Sequence, residues 1–214
     1  MNGGEGARAM SLPVTGRLFA AVLCLSAIAG IGLELTALLA NGFSIGTSAV
    51  ILARYFTILT NALLAIVFGI IALGRIRSDL ARLTGGIVSA IVLVGVVFAL
   101  LLQDVRTLEG TAVLADFLLH RFNPSLAALY WLAFTPKGRL RWSDPFRWAF
   151  YPLAYLVYAL IRGHLEGLYA YPFIDVTERG WPAVIITSAT LAAGFIAASE
   201  LLVWLDWTLA RRWR

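Results

Sequence analysis

The sequence predicts an all-α polytopic membrane protein, a six-transmembrane-helix bundle with both termini cytoplasmic, on three observations. The 214 residues are 60% hydrophobic and 14% charged, with mean hydropathy +0.84, against about 45–50% and about 25% in a soluble domain. The apolar residues gather into six segments, each near the roughly 20 residues that cross a bilayer. Lys and Arg alternate between the connections, and twelve of the seventeen fall on the side that also holds both ends. By the positive-inside rule that side is the cytoplasm.

The expected segments are 17–40, 50–74, 84–103, 112–134, 146–164 and 182–208. They form one domain over 17–208, preceded by a mobile tail at 1–16 and followed by a basic tail at 209–214. The first apolar run follows Arg8 and Arg17, but it is longer than the 7–15 residues of a signal-peptide core, so it reads as a retained helix. Short connections make neighbouring helices antiparallel. Trp142, Trp148, Trp204, Trp207 and Trp213 fall near the inner interface and Trp181 near the outer one, as membrane-protein tryptophans do. A net charge of +5 is spread over short loops and makes no patch for nucleic acid. The lone Cys24 has no disulfide partner in the chain. With two histidines and one cysteine, no zinc or haem site and no other cofactor is expected.

Polar side chains inside apolar segments are costly unless they find partners or face a cavity, and so they mark candidate sites. In the first helix Glu34 follows Gly30 and Gly32 and pairs with a base such as Arg54, stays protonated, or simply reaches the outer interface. Ser26, Gly30, Gly86, Ser89 and Gly95 read as helix-packing positions. The second segment opens with Arg54, Thr57 and Asn61 at i, i+3 and i+7, one helical stripe. The fourth answers with Asp116, His120 and Asn123 at i, i+4 and i+7, a carboxylate beside an imidazole that it can orient. At about 1.5 Å per residue Thr57 and His120 are expected about 10 and about 12 Å deep, close enough in depth to meet. Arg121 is expected to point elsewhere, and Pro124 to bend the helix and free a carbonyl. The fifth helix carries Tyr151, Tyr155, Tyr158 and Arg162 on one face, read more readily as packing with satisfied hydroxyls than as chemistry. The apolar fifth loop, 165–181, is a candidate lid. Thr187, Thr190 and Glu200 punctuate the sixth helix.

Arg54-Tyr55-Phe56-Thr57, His120 followed by Pro124, Gly167-Leu168-Tyr169-Ala170-Tyr171-Pro172-Phe173 and Ser199-Glu200-Leu201 resemble, in the same order, motifs of the androgen-induced-gene family of six-helix membrane proteins and its bacterial relatives. The resemblance covers most of the chain from about residue 50. It implies a place in the plasma (bacterial inner) membrane. It also implies hydrolysis of fatty acid esters of hydroxy fatty acids by an intramembrane threonine and histidine, with Thr57 in the first role and His120 in the second. Animal members carry two histidines three residues apart, the second essential. Ungapped matching puts that second position at Asn123, and a small shift puts it at His120.

Two functions follow as expectations. One is a lipid ester hydrolase in which Thr57 attacks, His120 takes the proton and Asp116 orients the ring. Arg54, Asn61, Asn123, Glu34, Tyr155, Arg162 and Tyr171 would then bind the lipid-like substrate. The other is a non-catalytic lipid- or small-molecule-binding protein or transporter, in which Arg54, Asp116, His120 and Glu34 form a buried polar network. A Thr57–His120 separation above about 6 Å favours the second.

Overall fold

The computed structural model describes residues 12–74, 80–103 and 109–212. The expectations for most of the N-terminal tail, for Arg75, Arg77 and Arg106, and for Trp213 and the last residues lie outside them. Among the described residues the chain is all-helical, with no strand. Helix α1 spans Val14–Ala40, α2 Ile45–Leu52, α3 Phe56–Ala72 and α4 Leu80–Val97, which continues as a π-helical turn at Phe98–Leu102. Helix α5, Thr111–Phe117, runs through a second π-helical turn at Leu118–Phe122 into α6, Asn123–Phe134. Helices α7, Asp144–Glu166, and α8, Val176–Arg212, complete the chain.

Three stretches are long and apolar enough to cross a membrane, Val14–Ala40, Ala81–Leu102 and Val176–Arg211, and the bent pair α2–α3 makes a fourth if it counts as one span. The second segment is therefore not the single straight helix expected over 50–74. It breaks at residues 53–55, and α2 meets α3 at 98°. Ser44 starts α2 by accepting the Thr47 N–H at 3.2 Å, a side-chain N-cap.

What holds the break open comes from α7. A broken helix inside an apolar environment leaves carbonyls that must be satisfied. Here the tyrosine stripe does it: Tyr155 donates to the Arg54 carbonyl at 2.7 Å, Tyr158 to that of Ala53 at 3.1 Å, and Arg162 to that of Val50 at 2.8 Å.

The core lies between α1, α3, α4 and α6, where Leu23, Leu64, Phe68, Ile91, Tyr130 and Trp131 are buried. Small residues set the approach distances. A Cβ on Gly30 would sit 2.7 Å from the Leu119 side chain, and one on Gly86 2.7 Å from Trp148. Trp148, near the start of α7, thus packs into the contact with α4. Ser26 does more than pack, since its hydroxyl donates to Asn123 Oδ1 at 2.5 Å. The outward surface is apolar on every side, with Leu25, Ile66, Leu129, Phe150, Ile161 and Ile185 all exposed.

On the opposite side from the break, the loop after α6 is tied down by two buried carboxylates. Asp206 accepts from the Arg139 and Leu140 N–H groups, and Asp144 from that of Arg141. Helix α7 stops at Gly167, whose φ of +67° is the left-handed cap that glycine adopts without strain. Helix α8 is interrupted at Gly180, with φ +73° and ψ 157°. Asp175 caps its first turn by accepting the Thr177 and Glu178 N–H groups.

Candidate functional site

The break at 53–55 puts Thr57 in the first turn of α3 instead of about 10 Å down a longer helix. His120 lies in the π-helical turn of the fourth segment, and Pro124 explains that turn. Proline has no N–H for the His120 carbonyl four residues back and clashes with it in a regular helix. The extra residue per turn relieves the conflict. Gly95 of α4 fits against this spot, where a Cβ would lie 3.0 Å from Pro124 and 3.2 Å from the freed His120 carbonyl.

Thr57 and His120 meet. Thr57 Oγ1 is 3.3 Å from His120 Nε2. The other ring nitrogen, Nδ1, is 3.1 Å from Asp116 Oδ1 and 3.3 Å from the Asp116 carbonyl. Both neighbours of Nδ1 accept, so in the neutral ring Nδ1 carries the hydrogen and Nε2 offers its lone pair to the Thr57 hydroxyl. Phe98, the first residue of the other π-helical turn, stacks on the imidazole at 4.3 Å and 19°. Arg121 does not point away as expected. Its guanidinium lies 3.7 Å from Asp116 Oδ2 and 5.1 Å from the centre of the Phe98 ring.

Two hollows converge on Thr57. A cavity of about 270 Å³ with a mixed lining sets Glu34, Gln103, Asp116 and His120 among apolar residues such as Leu52, Ile58 and Leu119. A smaller slot of about 100 Å³, between α4, α7 and α8, is almost wholly apolar, with Leu93, Leu153, Ala192 and Phe195 in its walls. Thr57, Leu102 and Tyr171 border both. The fifth loop covers them: Ala170 and Pro172 face the cavity, and Phe173 and Ile174 the slot.

The remaining predicted residues divide. Glu34 and Tyr171 line the cavity, and Tyr155 lines the slot. Asn61 and Asn123 do not reach either hollow. Both are fully buried, forming a strut in which Ser26 donates to Asn123, Asn123 to Asn61 at 2.8 Å, and Asn61 to the Thr57 and Leu119 carbonyls. The π-helical turn separates Asn123 from the Asp116–His120 face, so the expected three-residue stripe is two residues. Arg54 precedes α3 and leaves the expected Arg54, Thr57, Asn61 stripe as well.

Its guanidinium turns to Glu166 at 2.5 Å, which also receives Arg162 at 2.5 Å. Neither arginine borders the cavity or the slot. The sequence reading missed Glu166 as their partner, and it missed Phe98, Gln103 and the slot, which uncharged residues build from three distant helices.

No protein-family model, curated protein or solved structure matches the chain. The chemistry of the site therefore rests on its own geometry.

Proposed function

We propose that the protein is an integral membrane hydrolase of lipid (fatty-acyl) esters, related to the androgen-induced-gene family that its motifs resemble. Helices α5–α6 and α7 are on this reading the remaining spans, giving six with both termini cytoplasmic in a plasma (bacterial inner) membrane. Their support is the apolar outward face that Leu129, Phe150, Val157 and Ile161 continue along them, and the roughly 35 Å that 23 residues of α7 reach.

One observation carries the enzyme reading: a hydroxyl, an imidazole and a carboxylate in series at 3.3 and 3.1 Å, at the junction of a larger cavity of mixed lining and an apolar slot. The slot suits the acyl chain and the cavity suits the alcohol portion and water. Thr57 Oγ attacks the ester carbonyl as His120 Nε2 takes its proton, and Asp116 steadies the ring and the imidazolium. His120 then protonates the departing alkoxide, and a water activated by the same nitrogen hydrolyses the acyl-threonine. The 3.3 Å contact is loose, as such contacts often are before substrate arrives. It is also well inside the 6 Å that the binding or transport reading calls for.

The test uses purified protein in nanodiscs, with a fatty-acyl ester as substrate and a fluorophosphonate as probe. Thr57→Ala and His120→Ala are expected to lose turnover and labelling while keeping their melting temperature. Asp116→Asn is expected to lower kcat about 10²–10⁴-fold by allowing the wrong tautomer. Turnover unchanged in either alanine variant overturns the reading. Reporter fusions at both ends test the topology.

A further inference from the structure

The attack proposed above places negative charge on the ester carbonyl oxygen, and a hydrogen-bond donor must meet it. Two donors expected to bind the substrate are engaged elsewhere. Arg54 is held by Glu166 outside the cavity, and the Asn61 amide serves two backbone carbonyls. Around Thr57 the Asp116 carboxylate accepts and the His120 ring acts as base. Gln103 and Tyr55 line the same cavity, but Tyr171 is the one whose hydroxyl is in contact with Thr57 itself.

The contact is specific. Helix α3 has no side-chain cap at Tyr55, and the Thr57 N–H, which cannot bond within its own first turn, donates to Tyr171 Oη at 3.4 Å. The phenol thus spends an acceptor site on the positive end of the helix. Because the Tyr155 proton goes to the Arg54 carbonyl, the Tyr171 proton is shared with the Tyr155 oxygen beside it and turns to the substrate carbonyl when an ester enters. A phenol that accepts a bond in this way is a stronger donor. Its ring is fixed on two sides, edge-on to Tyr55 at 6.0 Å and stacked on Phe173 at 5.2 Å and 5°. It stands on the border between slot and cavity, where the carbonyl of an ester with its acyl chain in the slot must lie.

We infer that Tyr171 is a third catalytic residue, which donates its phenolic O–H to the carbonyl oxygen as Thr57 attacks; the inference rests on the hydrolase reading. The step balances without a further reagent. The Thr57 Oγ–C bond forms as the Thr57 proton moves to His120 Nε2, and the carbonyl π pair moves onto oxygen and is held by the Tyr171 O–H. On collapse the C–O bond to the alcohol breaks, and the alkoxide takes the proton from His120. Tyr171 keeps its proton throughout, and the fifth loop becomes part of the catalytic apparatus as well as a cover.

Tyr171→Phe keeps both ring contacts and removes the hydroxyl. Its kcat on a p-nitrophenyl acyl ester is expected to fall about 10²-fold with KM little changed, the size of effect seen when one oxyanion donor is removed. Its fluorophosphonate labelling should slow in parallel. Wild-type protein with no turnover and no labelling means that the hydrolase reading itself has failed. Wild-type turnover with an equally active Tyr171→Phe overturns the Tyr171 role alone, and so does a loss confined to KM. Replacing Tyr171 by a ring-fluorinated tyrosine keeps the shape and makes the phenol more acidic. The expected result is kcat changed severalfold at unchanged melting temperature, and an unaltered kcat overturns the role even where the phenylalanine variant folds poorly.

Discussion

His120 and Asn123, three residues apart on one segment, face different compartments. His120 meets the Thr57 hydroxyl at the edge of the cavity, and Asn123 donates to Asn61 in the fully buried strut behind it. The π-helical turn between Phe117 and Asn123 turns the two side chains apart. The positions left open by motif matching therefore have different physical jobs.

Substitution should separate those jobs. Asn123→Ala strands the Asn61 carbonyl oxygen in a dry interior, while the Ser26 hydroxyl keeps the Leu23 carbonyl, a loss of about 1–3 kcal/mol of stability. It is expected to lower the melting temperature while leaving turnover per folded molecule within a few fold. His120→Ala is expected to do the reverse, and Asn123→His should not restore activity to it. Thermal melts beside specific activity check the contrast, and rescue by Asn123→His would assign the base to the other position.

The α7 clamp on the 53–55 turn should behave as one unit. Tyr158 and Arg162 bond to each other at 2.7 Å as well as to the Ala53 and Val50 carbonyls. Tyr158→Phe and Arg162→Met are each expected to destabilise the fold, and the double variant should cost less than their sum, because neighbours in one network are not additive. Both should also reduce kcat, since the turn they hold positions Thr57. A double-mutant cycle read by thermal denaturation and by turnover tests this, and simple additivity would show that the two side chains act apart.

How much of this was legible in the sequence follows from the kind of signal each feature leaves. Helices α1 and α8 are legible because unbroken apolar runs have few other fates. Thr57, Asp116 and His120 stand out because polar groups in such runs are expensive. The break at 53–55 leaves no mark: Ala53, Arg54 and Tyr55 include neither glycine nor proline, and the donors that stabilise it lie on α7 about a hundred residues away. Arg54 likewise finds Glu166, 112 positions distant, in place of the nearer Glu34. Pro124 announces a bend, but nothing local says that the bend is a π-helical turn that parts Asn123 from His120.

A pH effect is expected on the side opposite the break. The Lys137 ammonium donates to the Trp131 and Thr135 carbonyls and lies 4.0 Å from the centre of the Trp131 ring. Burial pushes its pKa down to about 8 from 10.5, against the opposing pull of Asp206. Below about pH 8 the lysine is charged in both states and the cost of burying it is fully present. Between about 8 and 10.5 the unfolded chain holds the extra proton, so stability rises with pH in that window. Lys137→Met is expected to flatten this rise relative to wild type in melts taken across the window. A parallel pair of curves would remove Lys137 as its source.

The slot offers the last prediction, because its size sets which acyl chains are read. Its volume of about 100 Å³ bounds how many methylene groups can enter. Each methylene that enters should contribute about 0.8 kcal/mol, or about fourfold in kcat/KM. The expected profile climbs about fourfold per carbon from an acetyl ester until the slot is full, then levels. Ala192, on α8, is a small residue in the slot wall, so a larger side chain there takes up slot volume. Ala192→Phe should flatten the climb and leave acetyl ester turnover nearly intact. Equal loss along the whole ester series would point to damage at the catalytic group, and an unchanged profile would mean that the acyl chain lies somewhere other than this slot.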